Sequence, residues 1–192
     1  MSDSVRADLL EFWFGGEPDL FREAWFRPDT AFDATLRDRF GAAAAEAAAG
    51  GHAGLVETAE GAVALLLLLD QLPRNLHRGS PQAFAADPLA REAAREAVLV
   101  RRHDRALPVM QRIFLYLPFE HSEAMADQDV SVALFEGLRD DPRAAAPGGV
   151  IDYAWRHRDV VLRFGRFPHR NAVLGRESSP SELEFLASGG GF

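Results

Sequence analysis

The 192-residue sequence contains no cysteine, which excludes disulfide bonds and thiolate metal sites. Lysine is also missing, so all 21 basic residues other than histidine are arginines. The longest apolar stretch, Ala62 to Leu69, is far shorter than the roughly 20 residues that a membrane-spanning helix needs. The N-terminal residues are polar and partly acidic, unlike a secretory signal. These absences predict a cytoplasmic protein without a membrane partner.

Acidic residues outnumber basic ones, and the formal net charge is −8. Non-specific nucleic-acid binding needs a broad basic face, so we expect no nucleic-acid partner. The hydrophobic fraction of 47% and the 14 phenylalanines indicate a globular protein with a buried core. Arginine presents a planar fork that suits carboxylates and phosphates, so clusters of this residue are candidate anion sites.

Hydrophobic residues recur at helical spacing, as Phe32, Leu36 and Phe40 do. No stretch alternates with period two, and no hairpin dipeptide joins strand-like runs. The predicted fold is therefore all-α, an antiparallel helical array or bundle that forms one domain over 1–192 with a flexible tail at 189–192. The helices are predicted over residues 5–14, 20–26, 29–49, 57–72, 88–103, 108–117, 122–139, 150–167 and 181–187.

Prolines and N-capping residues set the predicted ends of several helices. Pro73 and Pro118 are predicted to end theirs, because proline lacks the N–H group that a helix interior requires. Asp29 and Ser122 are predicted N-caps. In the helix over 88–103, the residues predicted to face the core are Leu89, Ala93, Ala97 and Val100.

Two polar segments share one pattern, in which an apolar helix leads through a proline into arginine and asparagine. They span residues 70–79 and 163–171. Several arginines near one another repel unless carboxylates or a bound anion neutralise them. We therefore predict that both segments line one pocket for a small phosphate- or carboxylate-bearing ligand. The predicted ligand-binding residues are Asp70, Arg74, Asn75, Arg78, Gln128, Arg163, Arg166, His169, Arg170 and Asn171.

Each of these features also has a purely structural explanation. Asp70 is predicted near a helix end, where an ion pair with Arg74 or Arg78 would lock the turn. Arg166, His169 and Arg170 are predicted at a helix C-terminus, which favours positive charge. Gln128 falls on the apolar face of its helix, so it is expected to be hydrogen-bonded internally or to line a polar cavity.

The segment Glu120-His121-Ser122-Glu123 places an imidazole beside carboxylates, a combination that can transfer protons. His121 and Glu123 are accordingly the candidate catalytic residues, with His121 as general base. Glu120, His121 and Glu123 could also be read as metal ligands. However, the spacing of two histidines at i and i+4 that is typical of zinc proteases is absent. We therefore predict no metal site. No cofactor is predicted, because no phosphate-binding or dinucleotide motif is present.

Long motifs with these polar residues make the chain similar to a known family. The matching segments include Leu69 to Asn75, Leu117 to Glu123 and Arg163 to Asn171. On these motifs the sequence resembles the mainly bacterial, uncharacterised family called domain of unknown function 924. The resemblance covers nearly the whole chain and implies a helical fold similar to tetratricopeptide arrays. It implies no activity.

Four functional hypotheses follow. The leading one is a helical protein with an arginine-lined pocket for a small anionic molecule. The second is an enzyme, either a hydrolase or a transferase, in which the arginines stabilise developing negative charge. The third is an interaction module for a protein partner or for a second copy in a homo-oligomer, since helical arrays present concave surfaces. In the fourth, the ion pairs only stabilise the fold.

Overall fold

The computed structural model of the protein describes residues 2–191, with side chains from Ser4 onward, and all regular structure in that range is helical. The all-α prediction is confirmed. The α-helices are α1 (Ser2–Phe14), α2 (Thr30–Ala48), α3 (Ala59–Leu66), α4 (Leu72–Leu76), α5 (Asp87–Ala94), α6 (Val109–Glu120), α7 (Met125–Glu136), α8 (Val150–Phe164) and α9 (Pro180–Ala187). Short 3₁₀ turns lie at Glu23–Trp25, Ala53–Glu57, Pro81–Phe84, His103–Ala106 and Pro168–Arg170.

The chain groups into two compact units. The first unit comprises the residues up to Arg78 together with Gln82–Pro118. The second comprises Gly79–Pro81 and the residues from Phe119 onward.

The central helix of the first unit does not end at Pro73, contrary to the prediction. A π-helical turn at Leu67–Gln71 joins α3 to α4, and the Leu72 N–H group donates to the Leu67 carbonyl within it. Pro73 then lies in the first turn of α4, where its missing N–H group costs little. Asp70 therefore lies within a continuous helical path that ends at Leu76.

Two other predicted helices also differ from the structure, one at a proline and one at a π-helical turn. Pro118 lies inside α6, which continues to Glu120. A second π-helical turn at Arg95–Val100 follows α5 and changes the helical register. The residues that face the core are Ala90, Ala94, Ala97 and Val98, whereas Leu89 and Val100 are exposed, contrary to the prediction.

The remaining predictions of helix ends are mixed. Asp29 caps α2 as predicted, accepting hydrogen bonds from the N–H groups of Ala31 and Phe32. Residues 20–26 form only a 3₁₀ turn at Glu23–Trp25. Ser122 is not the N-cap of α7, a position that Ala124 occupies. The helix predicted over 150–167 ends at Phe164, because Gly165 adopts a left-handed conformation with φ of +70°.

Aromatic rings dominate the core of the first unit. The ring centroids of Trp25 and Phe114 lie 5.0 Å apart, and Trp13 contacts both residues. Trp25 Nε1 also donates to the Trp13 carbonyl over 3.0 Å, which satisfies a polar group inside the cluster. The leucines at 65–69 are all buried, as a helix that is apolar on every side requires.

The second unit packs α7 on α8 around a smaller core. Val160, Val161 and Phe167 form a buried cluster, against which Phe164 and Phe185 pack. Phe167 is fully buried although it lies in a polar segment. The core of this unit therefore holds the predicted arginine-rich segment in place.

Gly61 in α3 provides a test of packing in the first unit. A Cβ atom at Gly61 would lie 2.2 Å from the Leu55 carbonyl oxygen and 2.7 Å from Thr58 Oγ1. We expect Gly61→Ala to lower the free energy of unfolding by about 1–3 kcal/mol, the usual cost of overpacking. The measurement is urea denaturation followed by circular dichroism.

Gly41→Ala in α2 is the matched control, since its Cβ atom would meet only the Arg37 side chain at 4.0 Å. That change should raise the free energy of unfolding by about 0.5–1 kcal/mol, because alanine is the better helix former. Equal effects of the two substitutions would contradict the packing described for Gly61.

Candidate functional site

The predicted site residues of the first unit are held by carboxylates. Arg74 Nη1 lies 3.1 Å from Asp70 Oδ1, and Nη2 lies 3.1 Å from Asp87 Oδ1. Arg74 also donates to the Asp70 carbonyl over 2.6 Å. The structural explanation of Asp70 predicted an ion pair with Arg74 or Arg78, and Asp70 does pair with Arg74.

Asp33, which the sequence analysis did not single out, organises the other two residues. Asn75 Nδ2 donates to Asp33 Oδ1 over 2.8 Å, and Arg78 Nε donates to Asp33 Oδ2 over 2.9 Å. Partial burial alone would raise the pKa of the Asp33 carboxyl, but the hydrogen bonds from Arg78 and Asn75 outweigh it and lower the pKa. Asp33, Asp70 and Asp87 are balanced by Arg37, Arg74 and Arg78, so this region has no excess positive charge that would favour an anion.

In the second unit, Glu123 is the centre of a hydrogen-bond network. Arg176 approaches it with both terminal nitrogens, at 2.7 Å from Oε2 and 2.9 Å from Oε1, and the Phe167 N–H group donates to Oε1 over 2.8 Å. Burial would raise the pKa of Glu123, but these hydrogen bonds and the charge of Arg176 lower it. Glu123 is therefore ionised at neutral pH and would not donate a proton there.

Asn171 and Arg166 form further hydrogen bonds in the segment between α8 and α9. Buried Asn171 accepts from Arg176 Nε and donates to Ser178 Oγ, each over 3.0 Å. Arg166 donates to both carboxylate oxygens of buried Glu182, over 2.6 and 2.8 Å. The hydrogen bonds from Arg166 lower the pKa of Glu182. These residues thus fix the turn between α8 and α9.

Phe167 is surrounded by basic side chains. The guanidinium carbon of Arg170 lies 4.5 Å from the Phe167 ring centroid, and Arg170 Nη1 donates to the His121 carbonyl over 3.0 Å. The rings of His157 and His169 lie 5.5 and 5.6 Å from the same ring. These four residues, with His121, form what we call the Phe167 cluster. Arg170 and His157 are buried, whereas His121 and His169 are half-buried.

The Phe167 cluster combines basic groups with a buried acid, since Glu120 Oε1 lies 3.3 Å from His157 Nδ1. Burial lowers the pKa of His169 to about 4, with a further decrease from the charge of Arg170. Burial also lowers the pKa of His157 well below its ordinary value, as do His121, Arg170 and His169. Both imidazoles are therefore neutral at pH 7, and an anion bound beside them would raise their pKa values.

Two predicted residues have other roles in the structure. Gln128 is fully buried, and its Nε2 donates to the carbonyls of Glu120 and Ser122 over 2.7 and 2.6 Å. These carbonyls belong to the last residue of α6 and to the turn after it, where backbone carbonyls have no partner within the helix. Arg163 is exposed, with its guanidinium carbon 4.6 Å from the Phe164 ring centroid.

Three residues of the second unit were missed by the sequence analysis: His157, Arg176 and Glu182. Only Glu182 had a usable signal, because Ser179 and Glu182 have the spacing of a capping box, and the structure contains that motif. Arg176 is 53 positions from Glu123, and no local pattern relates residues so far apart.

The family of bacterial proteins of unknown function designated DUF924 matches residues 9–190 of the chain. The chain belongs to that family. Its structure is also similar to a protein of unknown function from Agrobacterium tumefaciens, ATU0120, with 42% sequence identity and a TM-score of 0.87. That similarity covers 98% of this chain and 99% of the other. No curated protein matches the DUF924 chain described here.

Two further findings bear on the site of this DUF924 protein. Among the described residues, no three histidine, aspartate or glutamate side chains are grouped in a way that could hold a metal ion. No helix in the described range is long and apolar enough to cross a membrane.

The pair formed by Arg166 and Glu182 should stabilise the second unit. We expect Glu182→Gln to lower the free energy of unfolding by about 2 kcal/mol, since it weakens hydrogen bonds to a charged partner at a buried position. Urea denaturation measures the change. Glu136→Gln is the control, because Glu136 pairs with the exposed Arg139. A loss for Glu136→Gln as large as that for Glu182→Gln would contradict the role assigned to burial.

The neutral histidines of the Phe167 cluster should make stability depend on pH. The pKa of His169 is depressed on folding, so its contribution is complete above about pH 6.5 and is lost as the pH falls toward 4. In that window the unfolded chain binds more protons, and stability rises with pH by up to about 1.4 kcal/mol per unit for each such histidine.

The measurement is urea denaturation at pH values between 5 and 8. His169→Gln should reduce the slope of stability against pH below about pH 6.5. His77→Gln is the control, since His77 is exposed. An unchanged slope in His169→Gln would show that His169 is not held neutral by the fold.

Proposed function

We propose that the second unit of this DUF924 protein binds a small anion with a phosphate or carboxylate group, contacted by His121, His169 and Arg170. The observation that carries the proposal is the convergence of three imidazoles and Arg170 at the Phe167 cluster. The half-buried rings of His121 and His169 would reach the ligand, and the buried guanidinium group of Arg170 would lie beneath it.

The division of the arginines between partners supports this assignment. Arg166 and Arg176 are each neutralised by a carboxylate through two hydrogen bonds, and Arg74 and Arg78 are held by acids in the first unit. Arg170 contacts the Phe167 ring and donates to the His121 carbonyl, and these contacts place its guanidinium group beside the half-buried imidazoles. The charge of Arg170 also lowers the pKa of His169, and an anion would relieve this repulsion.

The other predicted residues then support the site from a distance. Asn171 and Glu123 fix the backbone on either side of Phe167 through Arg176. Gln128 fixes the carbonyls that flank His121. The proposal thus keeps the anion-binding function predicted from the sequence and places it on fewer residues.

Inorganic phosphate is the first probe, measured by isothermal titration calorimetry at low ionic strength, with citrate as the carboxylate probe. Saturable binding is expected. Arg170→Gln should weaken it about tenfold or more, because hydrogen bonds to charged groups contribute about 1.5–3 kcal/mol. Arg163→Gln is the matched control, since Arg163 is exposed and contacts only aromatic rings in the described structure.

A nuclear magnetic resonance titration of His169 gives a second, independent result. Bound phosphate should raise the pKa of His169, because an anion stabilises the imidazolium form. The absence of saturable binding by both probes would overturn the proposal. Equal weakening by Arg170→Gln and Arg163→Gln would also overturn it.

A further inference from the structure

A cleft of about 470 Å³ lies in the first unit, and none of the residues that the sequence analysis predicted to bind a ligand lines it. This volume falls within the range typical of small-molecule sites, about 300–1,000 Å³. The wall is formed in part by apolar residues, and the polar residues are Arg6, Thr58, Glu60 and Gln111.

The residues that line the cleft include the N-terminus of α3. The helical path that runs to Leu76 begins there. Thr58 caps this helix, and its Oγ1 atom accepts from the Gly61 N–H group over 3.1 Å. Ala59 and Glu60 are the first two residues of α3. Their N–H groups have no hydrogen-bond acceptor in the described part of the chain. Such groups attract negatively charged ligand atoms.

Gln111 is the second and independent indication of a ligand. It is only 6% exposed, and it lines the cleft from the first turn of α6. Its side-chain amide makes no hydrogen bond within residues 2–191. The residue as a whole is nearly buried, and its amide is left to bond to whatever occupies the cleft, so a ligand there would find a donor and an acceptor.

The charges in the cleft indicate which ligand it would take. Arg6 and Glu60 have opposite charges, so the lining is neutral as a whole. Glu60 is adjacent to the free N–H groups and would repel a phosphate dianion. The apolar part of the lining is formed by Pro18, Ala106, Leu107 and Pro108.

We propose that this cleft binds a small zwitterion, namely an α-amino acid with an apolar side chain. Arg6 and the first N–H groups of α3 would bind the carboxylate, and Glu60 would bind the ammonium group. The side chain would pack on Leu107 and Pro108, and the amide of Gln111 would complete the polar contacts. This site shares no residue with the Phe167 cluster and does not depend on the function proposed there.

L-leucine is the probe, measured by calorimetry or by saturation-transfer magnetic resonance on the full chain. Two compounds each remove one charge from it: 4-methylpentanoate lacks the amine, and 3-methylbutylamine lacks the carboxylate. Leucine should bind saturably, and each of the other two should bind about tenfold or more weakly, because each loses a charged hydrogen-bonding group. Binding of 4-methylpentanoate or phosphate as tight as that of leucine would overturn the proposal.

Two substitutions test the residues themselves. Gln111→Leu removes the amide while keeping the volume, and because that amide makes no internal hydrogen bond, the melting temperature should not fall. It should nevertheless weaken leucine binding, as should Glu60→Gln, each about tenfold or more. Glu92→Gln, at an exposed position outside the cleft, is the control and should leave binding unchanged. Leucine binding that survives both Gln111→Leu and Glu60→Gln would overturn the proposal.

Discussion

The carboxylate of Glu123 connects separate parts of the second unit. It accepts a hydrogen bond from the Phe167 N–H group, and it forms two with Arg176, whose Nε is held in turn by Asn171. A charged group that leaves water must be paired and hydrogen-bonded, or the fold is destabilised. Here that requirement determines the path of the chain after α8. The turn brings Phe167 into the core and, with it, the basic residues on either side of Phe167 in the sequence.

The same requirement limits how many arginines can bind a ligand. In the first unit, Asp33, Asp70 and Asp87 use the hydrogen-bonding capacity of Arg74 and Arg78. In the second, Glu123 and Glu182 do the same for Arg176 and Arg166. A dense cluster of arginines in a sequence therefore indicates local charge, but the acids that neutralise it can be distant along the chain. The Phe167 cluster is distinctive because histidines there are held neutral by burial and by neighbouring positive charge.

The helices of this protein were largely predictable, since periodic apolar residues and caps such as Asp29 are local signals. The prolines misled the prediction, because a π-helical turn at Leu67–Gln71 lets the chain pass Pro73 without losing its helical path. No local pattern indicates such a turn. The site residues were predictable as residue types only. Pairings such as Arg176 with Glu123 depend on tertiary packing, which a single sequence does not contain.

Two glutamines show why burial alone does not identify a functional residue. Both Gln111 and Gln128 are nearly or fully inaccessible to solvent. Gln128 Nε2 donates to carbonyls at the end of α6 and just after it, so the fold explains the amide nitrogen on an apolar helix face, whereas Gln128 Oε1 is buried without a hydrogen-bond partner among the described residues. Gln111 makes no such contact in the described chain, and it lines a cleft instead. An amide is retained at a buried position when something bonds to it. For Gln128 Nε2 that partner is the protein, and for the Gln111 amide a ligand is the partner that the cleft can supply.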